Sequence, residues 1–455
     1  MSPLLTLLLI MSPGQSGAVR HELGVHLRAF ESTLQEVKDP KSRDRAIPGL
    51  KDITFLYFSA QFGKAAKLLD EARQNLRSGK PMDEASAWAE SLMIQITPTL
   101  IEAGRGTLSV RIDPFYKAGT MPGEATLTLE NLEPKRLSTP IKIESLPLEA
   151  KVPYALSKGR QFLLARVCAK DKVLAERLIP VVAVEKLKPR LDALAKHIEA
   201  TKDKKDLAHL TMAHLHSILA DQAKGEILET DYPSDKLLDQ AEAIAQDPNW
   251  PGKNLAAGEW WLALPEKPGA RIVRVFVPKT QPGQKVPLLL ALHGAGGSEN
   301  MFFDGYGSGE TQKKCDARGW AMVSPRMGLG DTTLDQLAAL LPIDDKKVFI
   351  MGHSMGSAMA SAQTAKSPER FRAGAYLGGG GRTGKTGAYS KLPAFVGIGD
   401  LDFALGSARK LHRDIQTSGN TAAILREYPK VEHLTIVQIA LDDLFGFFEK
   451  QLKNP

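Results

Sequence analysis

The segment at residues 348–360 constrains the fold of this chain more than any other stretch. It reads Val-Phe-Ile-Met-Gly-His-Ser-Met-Gly-Ser-Ala-Met-Ala, so an apolar run leads into Gly-x-Ser-x-Gly and then into small residues at helical spacing. A strand, a tight turn and a helix in that order form a nucleophile elbow, whose serine stands in a strained position at the tip of the turn. The N-terminus of the helix that follows favours developing negative charge. We therefore predict that Ser354 is a nucleophile.

An upstream segment has the form of the second half of an oxyanion hole. Residues 286–297 read Val-Pro-Leu-Leu-Leu-Ala-Leu-His-Gly-Ala-Gly-Gly, a buried strand that ends in a glycine-rich loop. A loop of this form supplies a backbone N–H that complements the N–H of the residue after the nucleophile. We expect the backbone N–H groups of Met355 and Ala295 to bind the oxyanion, with Gly296 in place of Ala295 if the loop is rotated.

Acidic and histidine partners follow downstream, each after a further strand. The apolar run at 394–399 opens onto Asp400-Leu401-Asp402, and the run at 424–429 leads to His433. A Gly-x-x-Asp pattern is satisfied twice, since Gly397 precedes Asp400 and Gly399 precedes Asp402. The apolar run extends through residue 398, which favours Asp402 as the acid and leaves Asp400 as the alternative. The chain order Ser, Asp, His is that of the α/β-hydrolases.

From about Gly258 to its end, the chain resembles the α/β-hydrolase superfamily. Within it, the closest resemblance is to esterases of the polyhydroxybutyrate-depolymerase and feruloyl-esterase type, which are also described as prolyl-oligopeptidase-like. The resemblance rests on 274–278 (Arg-Val-Phe-Val-Pro), 292–297, 352–356 and the positions of Asp402 and His433. It covers less than half of the chain, and the first 250 residues resemble no family that we can name. It implies a serine esterase that needs no cofactor.

The N-terminal half is organised differently. An apolar run at 4–11 followed by small residues predicts a signal peptide at 1–18, and hence export to the periplasm or the extracellular space. Apolar residues at helical spacing predict a helical region at 19–100, including a helix over 83–96. Alternating strands predict a small β-sandwich at 101–186, and helices return at 187–248. The turn-rich segment Asp-Pro-Asn-Trp-Pro-Gly at 247–252 marks the start of an α/β-hydrolase domain at 249–455. Strands at 258–264 and 271–278 predict an antiparallel entry to its sheet, and the alternation of strands and helices after them predicts a mostly parallel sheet flanked by helices, so the fold class is α/β.

Several classes of binding site are disfavoured by the residue pattern. Cys168 and Cys315 fall in different predicted domains and form neither a disulfide scaffold nor a zinc site, and the histidines near 209–216 lack metal-ligand spacing. The net charge of +7 is spread along the chain without an aromatic-interleaved basic patch, which argues against nucleic acid. Residues 379–386 spell Gly-x-x-x-x-Gly-Lys-Thr, but no room remains for the helix that a phosphate loop requires. We predict no metal, cofactor, nucleotide or membrane insertion, and assign Arg382 and Lys385 to a basic rim near the substrate.

Three functions remain open from the sequence. The leading one is hydrolysis of a carboxylic ester, and the short connection between 377 and 392 leaves little chain for a lid, so a bulky or polymer-attached ester fits. The second is a serine peptidase of prolyl-oligopeptidase type, although the N-terminal half shows no blade repeats of a β-propeller. The third is a non-catalytic binding protein with a hydrolase fold.

Overall fold

The computed structural model describes residues 16–131, 135–136, 139–384, 387 and 389–453. The chain divides into two units. The sandwich unit comprises Met1–Leu27, Phe55–Lys204 and Met212–Pro248, and the parallel-sheet unit comprises Arg28–Thr54, Lys205–Thr211 and Asn249–Pro455. The predicted signal peptide lies outside the described residues except for its last three, which begin a helix, and export stays a prediction.

Fourteen α-helices are present among the described residues. In chain order they are α1 Ser16–Glu36, α2 Pro40–Ala46, α3 Ile53–Phe58, α4 Phe62–Arg77, α5 Glu84–Glu90, α6 Leu187–Ala200, α7 Leu207–Lys224, α8 Ser234–Gln246, α9 Met301–Asp304, α10 Tyr306–Asp316, α11 Thr333–Leu340, α12 Met355–Lys366, α13 Leu405–Thr417 and α14 Ile436–Lys453. No helix of the described residues is long and apolar enough to cross a membrane.

The sandwich unit contains two β-sheets. One has the order β1-β3-β7, and the other has the order β2-β9-β8-β4-β5 with β6 paired to β4. Their strands are β1 Leu92–Thr97, β2 Leu100–Glu102, β3 Gly104–Pro114, β4 Ala125–Asn131, β5 Lys135–Arg136, β6 Ile141–Ile143, β7 Leu148–Leu156, β8 Gly159–Ala169 and β9 Lys172–Val184. Alternate residues of both sheets, such as Val110 and Leu163, share one apolar core. Two sheets facing one core is the arrangement expected of a β-sandwich.

The helix predicted over 83–96 is wrong in its second half. Helix α5 ends at Glu90, and β1 follows at once. Within β1, Leu92, Ile94 and Ile96 are buried while the residues between them are partly exposed. That alternation is the period of a strand, and pairing with β3 outweighs the helical tendency of the preceding residues.

The parallel-sheet unit is built on an eight-stranded sheet. Its order is β10-β11-β13-β12-β14-β15-β16-β17. The strands are β10 Gly258–Pro265, β11 Ala270–Val277, β12 Val286–Leu292, β13 Ala321–Pro325, β14 Ile343–His353, β15 Ala373–Leu377, β16 Ala394–Gly399 and β17 Ile424–Tyr428. The β10–β11 and β11–β13 pairs are antiparallel and the others are parallel. This confirms the antiparallel entry and the mostly parallel sheet expected from the sequence.

Both faces of this sheet are buried. Leu288 and Ile350 lie in an apolar cluster on one face, whereas their neighbours Leu289 and Phe349 lie in a second cluster on the other. A sheet covered on both faces explains why its strands read as continuous apolar runs. It also brings the carboxyl ends of the parallel strands to one edge, where the loops after β12, β14, β16 and β17 meet.

The sandwich unit contains a buried ionic cluster. Asp70 accepts a hydrogen bond from Tyr116 at 2.6 Å and lies 2.8 Å from His26 Nδ1 and 3.5 Å from Arg73. Burial opposes ionisation of Asp70, but the surrounding donors and cations outweigh it, so its pKa lies below the ordinary value. Neutralising a buried carboxylate of this kind is costly, because its cationic neighbours stay charged and lose their anion.

We expect Asp70→Asn to lower the free energy of unfolding by about 3–5 kcal/mol, because it leaves buried cationic partners without their anion. The depressed pKa means that this contribution is present above the unfolded-state pKa and is lost as pH falls through the folded-state pKa. Urea unfolding measures it. The matched control is Glu71→Gln on the next residue of α4, whose side chain is 50% exposed and 3.8 Å from Lys67, and which should cost less than about 1 kcal/mol. Equal effects of the two substitutions would contradict the account.

Candidate active site

Ser354 occupies the turn between β14 and α12. Its backbone has φ 56° and ψ −117°, a region that residues other than glycine rarely adopt. A Cβ on Gly352 would lie 2.0 Å from the carbonyl oxygen of Gly356, and a Cβ on Gly356 would lie 2.0 Å from that of Leu292. Both glycines of Gly-x-Ser-x-Gly are therefore required by close backbone approach. The turn holds the partly exposed Ser354 at the carboxyl edge of the sheet.

Ser354, His433 and Asp402 form a continuous hydrogen-bonded row. His433 Nε2 lies 2.9 Å from Ser354 Oγ, and His433 Nδ1 lies 3.0 Å from each carboxylate oxygen of Asp402. Because a carboxylate accepts hydrogen bonds, Nδ1 carries the hydrogen and Nε2 is left to accept from the Ser354 hydroxyl. Asp402 is 4% exposed and His433 is 7% exposed, so the pair is shielded from water.

Asp400 lies apart from this row. Its side chain is exposed, and its Oδ1 accepts a hydrogen bond from the backbone N–H of Lys430 at 2.7 Å. Strand β16 ends at Gly399, and the turn that follows directs Asp402 inward: Asp402 N–H donates to the Gly399 carbonyl, and Asp402 Oδ1 accepts from Ala404 N–H at 2.8 Å. Of the two candidates for the acid, Asp402 is thus buried and bonded to His433, whereas Asp400 is exposed and bonded to Lys430.

The loop after β12 lies against the elbow. A Cβ on Gly294 would come within 3.2 Å of Ser354 Cβ, so this loop passes directly beside the serine. Among the described residues, neither the Ala295 N–H nor the Met355 N–H is hydrogen-bonded. Met355 is the first residue of α12, where backbone N–H groups have no partner within the helix. Two predicted donors therefore remain available at the edge that carries Ser354.

His353 and Tyr306 link the three loops of the site. His353 Nε2 lies 2.9 Å from the carbonyl oxygen of His433 and must donate to it, so Nδ1 accepts from the Tyr306 hydroxyl at 2.7 Å. The Tyr306 oxygen in turn accepts from the N–H of Gly294 at 3.4 Å. Burial and the neighbouring His433 lower the pKa of His353 to about 3, which keeps its imidazole neutral. His353 is thus a fixed connector between the segments that carry Tyr306 and His433.

Sequence reasoning missed Tyr306 and the segment that supports it. Helix α10 begins with a left-handed turn in which φ is 34° at Tyr306, 74° at Gly307, 59° at Ser308 and 76° at Gly309. Glu31 of α1 accepts a hydrogen bond from the Gly307 N–H. The glycines at 307 and 309 are the one local signal of this turn, because positive φ favours glycine.

Glu432 and Glu31 are further buried carboxyl groups in this part of the parallel-sheet unit. Glu432 accepts hydrogen bonds at 2.8 Å from the N–H groups of Leu434 and Thr435, and thereby fixes the segment between His433 and α14. Burial raises the pKa of Glu432 to about 7. Burial, with Glu432 nearby, raises the pKa of Glu31 to about 8. Residues 28–54, which include Glu31, belong to the same unit as the site. From the sequence alone they were assigned to a separate helical region.

The glycine run after β15 lines the other side of the elbow. A Cβ on Gly379 would lie 2.7 Å from the Ser354 carbonyl oxygen, and Gly380 accepts a hydrogen bond from Ser357 Oγ at 3.1 Å. Arg382 is exposed, and its N–H donates to Ser361 Oγ on α12. Lys385, the other predicted rim residue, lies outside the described residues. Within the residues that are described, no group of three His, Cys, Asp or Glu side chains could hold a metal ion.

We expect Tyr306→Phe to lower the free energy of unfolding by about 1–3 kcal/mol, because it leaves a buried imidazole nitrogen without its donor. Urea unfolding measures the loss. Tyr428→Phe is the matched control, since the Tyr428 hydroxyl donates at 2.8 Å to the partly exposed Asp443 and water can replace it. If the Tyr306→Phe protein were as stable as the control, the hydroxyl would not stabilise the contacts between the loops.

No protein-family model and no curated protein matches the chain. Among solved structures, it is similar to S-formylglutathione hydrolase from Staphylococcus aureus over 42% of this chain and 98% of that one, with 12% identity and a TM-score of 0.36. It is also similar to a feruloyl esterase module from Clostridium thermocellum over 43% and 89%, with 14% identity and a TM-score of 0.37. The strand order and the turn at Ser354 in themselves assign the parallel-sheet unit to the α/β-hydrolase fold.

Proposed function

We propose that this protein is a serine hydrolase that cleaves carboxylic esters through an acyl-enzyme intermediate. Ser354 is the nucleophile, His433 the general base and acid, and Asp402 the residue that orients the imidazole. The observation that carries the proposal is the row Asp402–His433–Ser354, with separations of 3.0 Å and 2.9 Å, beside a serine in a strained turn. A serine hydroxyl is unreactive by itself and needs an adjacent base of this kind.

In the first half-reaction, Ser354 Oγ attacks the ester carbonyl carbon while His433 Nε2 takes the hydroxyl proton. Asp402 stabilises the imidazolium that forms and holds the tautomer with the hydrogen on Nδ1. The tetrahedral intermediate then expels the alcohol, to which His433 returns the proton, and the acyl group stays on Ser354. In the second half-reaction, His433 takes a proton from the water that attacks the acyl carbon. The second tetrahedral intermediate then expels Ser354 Oγ, to which His433 returns this proton as the acid is released.

The oxyanion of each tetrahedral intermediate is bound by the N–H groups of Met355 and Ala295 in this proposal. Both N–H groups lack partners among the described residues and belong to the segments that flank Ser354. Loss of one such donor typically costs about 3 kcal/mol of transition-state stabilisation. The positive end of α12 adds to the stabilisation of this charge.

An accessible serine is compatible with a bulky or polymer-attached ester. Ser354 is partly exposed, and Arg382 stands exposed on the loop that follows the glycine run. We include Arg382 as a rim residue that favours a substrate with a nearby negative charge. Peptide hydrolysis and pure binding are the competing functions, and the experiment below separates all three.

We expect the purified protein to hydrolyse p-nitrophenyl acetate and butyrate, and Ser354→Ala to abolish this turnover. In serine hydrolases with this triad, replacing the acid by its amide lowers kcat by roughly 10⁴-fold. Asp402→Asn should therefore lose orders of magnitude, whereas Asp400→Asn, which is two residues away and bonded to Lys430, should keep most activity.

Turnover of a proline anilide without turnover of esters would favour a peptidase. Failure of the folded protein to hydrolyse either substrate would favour a binding role. Large losses in Asp400→Asn and none in Asp402→Asn would contradict the assignment of the acid.

A further inference from the structure

The loop that carries Asp402 also presents two apolar side chains to solvent. Phe403 is 68% exposed and Leu401 is 40% exposed, while Asp402 between them is buried. The loop is held in place, since Leu401 N–H donates to the Val431 carbonyl at 3.0 Å and Leu405 N–H donates to that of Asp402 at 3.1 Å. Exposed apolar side chains held in place beside a proposed catalytic row are candidates for substrate contact.

Phe403 lies against the imidazole of the proposed base. The centroids of the Phe403 and His433 rings are 4.5 Å apart, with an angle of 46° between the ring planes. One part of the phenyl ring therefore covers His433, and the remainder faces solvent. The Leu401 N–H is bonded to Val431, two residues before His433, so the loop that carries Leu401 and Phe403 is tied to the segment of the proposed base.

The chemistry of ester cleavage decides which half of a substrate meets this surface. His433 Nε2 must deliver its proton to the oxygen of the departing alcohol, so that oxygen lies beside the imidazole in the transition state. The acyl group instead stays bonded to Ser354. Phe403, which packs against this imidazole, consequently borders the alcohol side of the ester.

Other exposed apolar side chains of the parallel-sheet unit also lie at the carboxyl edge of the sheet. In the parallel-sheet unit, the other large apolar side chains with high exposure among the described residues are Met327, Met355 and Ile424. Met327 and Met355 follow the carboxyl ends of β13 and β14, on the edge that carries Ser354. Ile424 begins β17 and so stands at the opposite edge, which makes it a matched control.

We propose that Phe403, with Leu401, selects esters whose alcohol bears an apolar ring. This inference rests on the proposed ester hydrolysis and concerns the alcohol, which the sequence left open together with the acyl group. The exposed face of the phenyl ring packs against the ring of the alcohol, and Leu401 extends that surface. Neither side chain offers a hydrogen bond to hydroxyl groups, so a sugar alcohol gains less here than an apolar one of similar size.

The test uses the full-length protein and acetate esters that differ in the alcohol alone: methyl acetate, cyclohexylmethyl acetate and methyl 6-O-acetyl-glucoside. Acid release gives kcat/KM. We expect kcat/KM for the cyclohexylmethyl ester to exceed that for the other two by about tenfold or more, the scale of a few methylene contacts. Phe403→Ala should reduce this preference to within about threefold, by lowering kcat/KM for the cyclohexylmethyl ester more than for methyl acetate, and Leu401→Ala should reduce it in part. Ile424→Ala should leave it unchanged.

A different role for Phe403 gives a different pattern. If the ring only shields the Asp402–His433 pair from water, Phe403→Ala lowers turnover of all three esters equally and shifts the pH profile of kcat, which would overturn the inference. Preference of the wild-type protein for the sugar ester, or absence of any preference, would also overturn it while leaving ester hydrolysis intact. No turnover of any ester by the folded protein would overturn the proposed function and this inference together. Should Phe403→Ala not fold, Leu401→Ala alone decides, and an unchanged preference in that variant counts against the proposal.

Discussion

The site depends on how closely the backbone packs at the turn between β14 and α12. Gly352 and Gly356 allow carbonyl oxygens to approach where any side chain would collide, and Ser354 between them adopts its strained conformation. Strain of this kind persists only where the surrounding structure fixes it. The buried sheet supplies that constraint on both faces, so the serine is held at the edge where the loops after neighbouring strands converge.

A second layer of contacts holds these loops relative to one another. His353, although adjacent to the proposed nucleophile in sequence, faces inward and joins the carbonyl of His433 to the hydroxyl of Tyr306. Because the low pKa of His353 keeps it neutral, the connector presents one donor and one acceptor over the ordinary pH range. The proposed base is therefore oriented from two sides: Asp402 binds its ring, and His353 binds its backbone.

Whether a feature could be predicted from the sequence depends on how far apart in the chain its interacting residues lie. The strand, turn and helix at Ser354 are local, so their pattern was readable, and the order of the partner loops followed from a mostly parallel sheet. The choice between Asp400 and Asp402 was only partly readable: both satisfy the same short pattern, and the apolar run through residue 398 favoured Asp402 without excluding Asp400. In the structure, the turn after Gly399 separates a buried carboxylate from an exposed one. The contributions of Tyr306 and Glu31 arise from contacts between residues far apart in the chain, which leave no period or motif. The strand β1 was missed because an adjacent helix masked its alternation.

The most direct test of the account is covalent labelling of the full-length protein with a fluorophosphonate, followed by mass spectrometry of the intact chain and of its peptides. Such a reagent bonds to a serine that an adjacent base has activated. We predict one adduct per chain, on Ser354, that forms far more slowly in His433→Gln although the variant folds. An unlabelled protein, or an adduct on another serine that forms as fast in the variant, would contradict the claim that Ser354 and His433 act together.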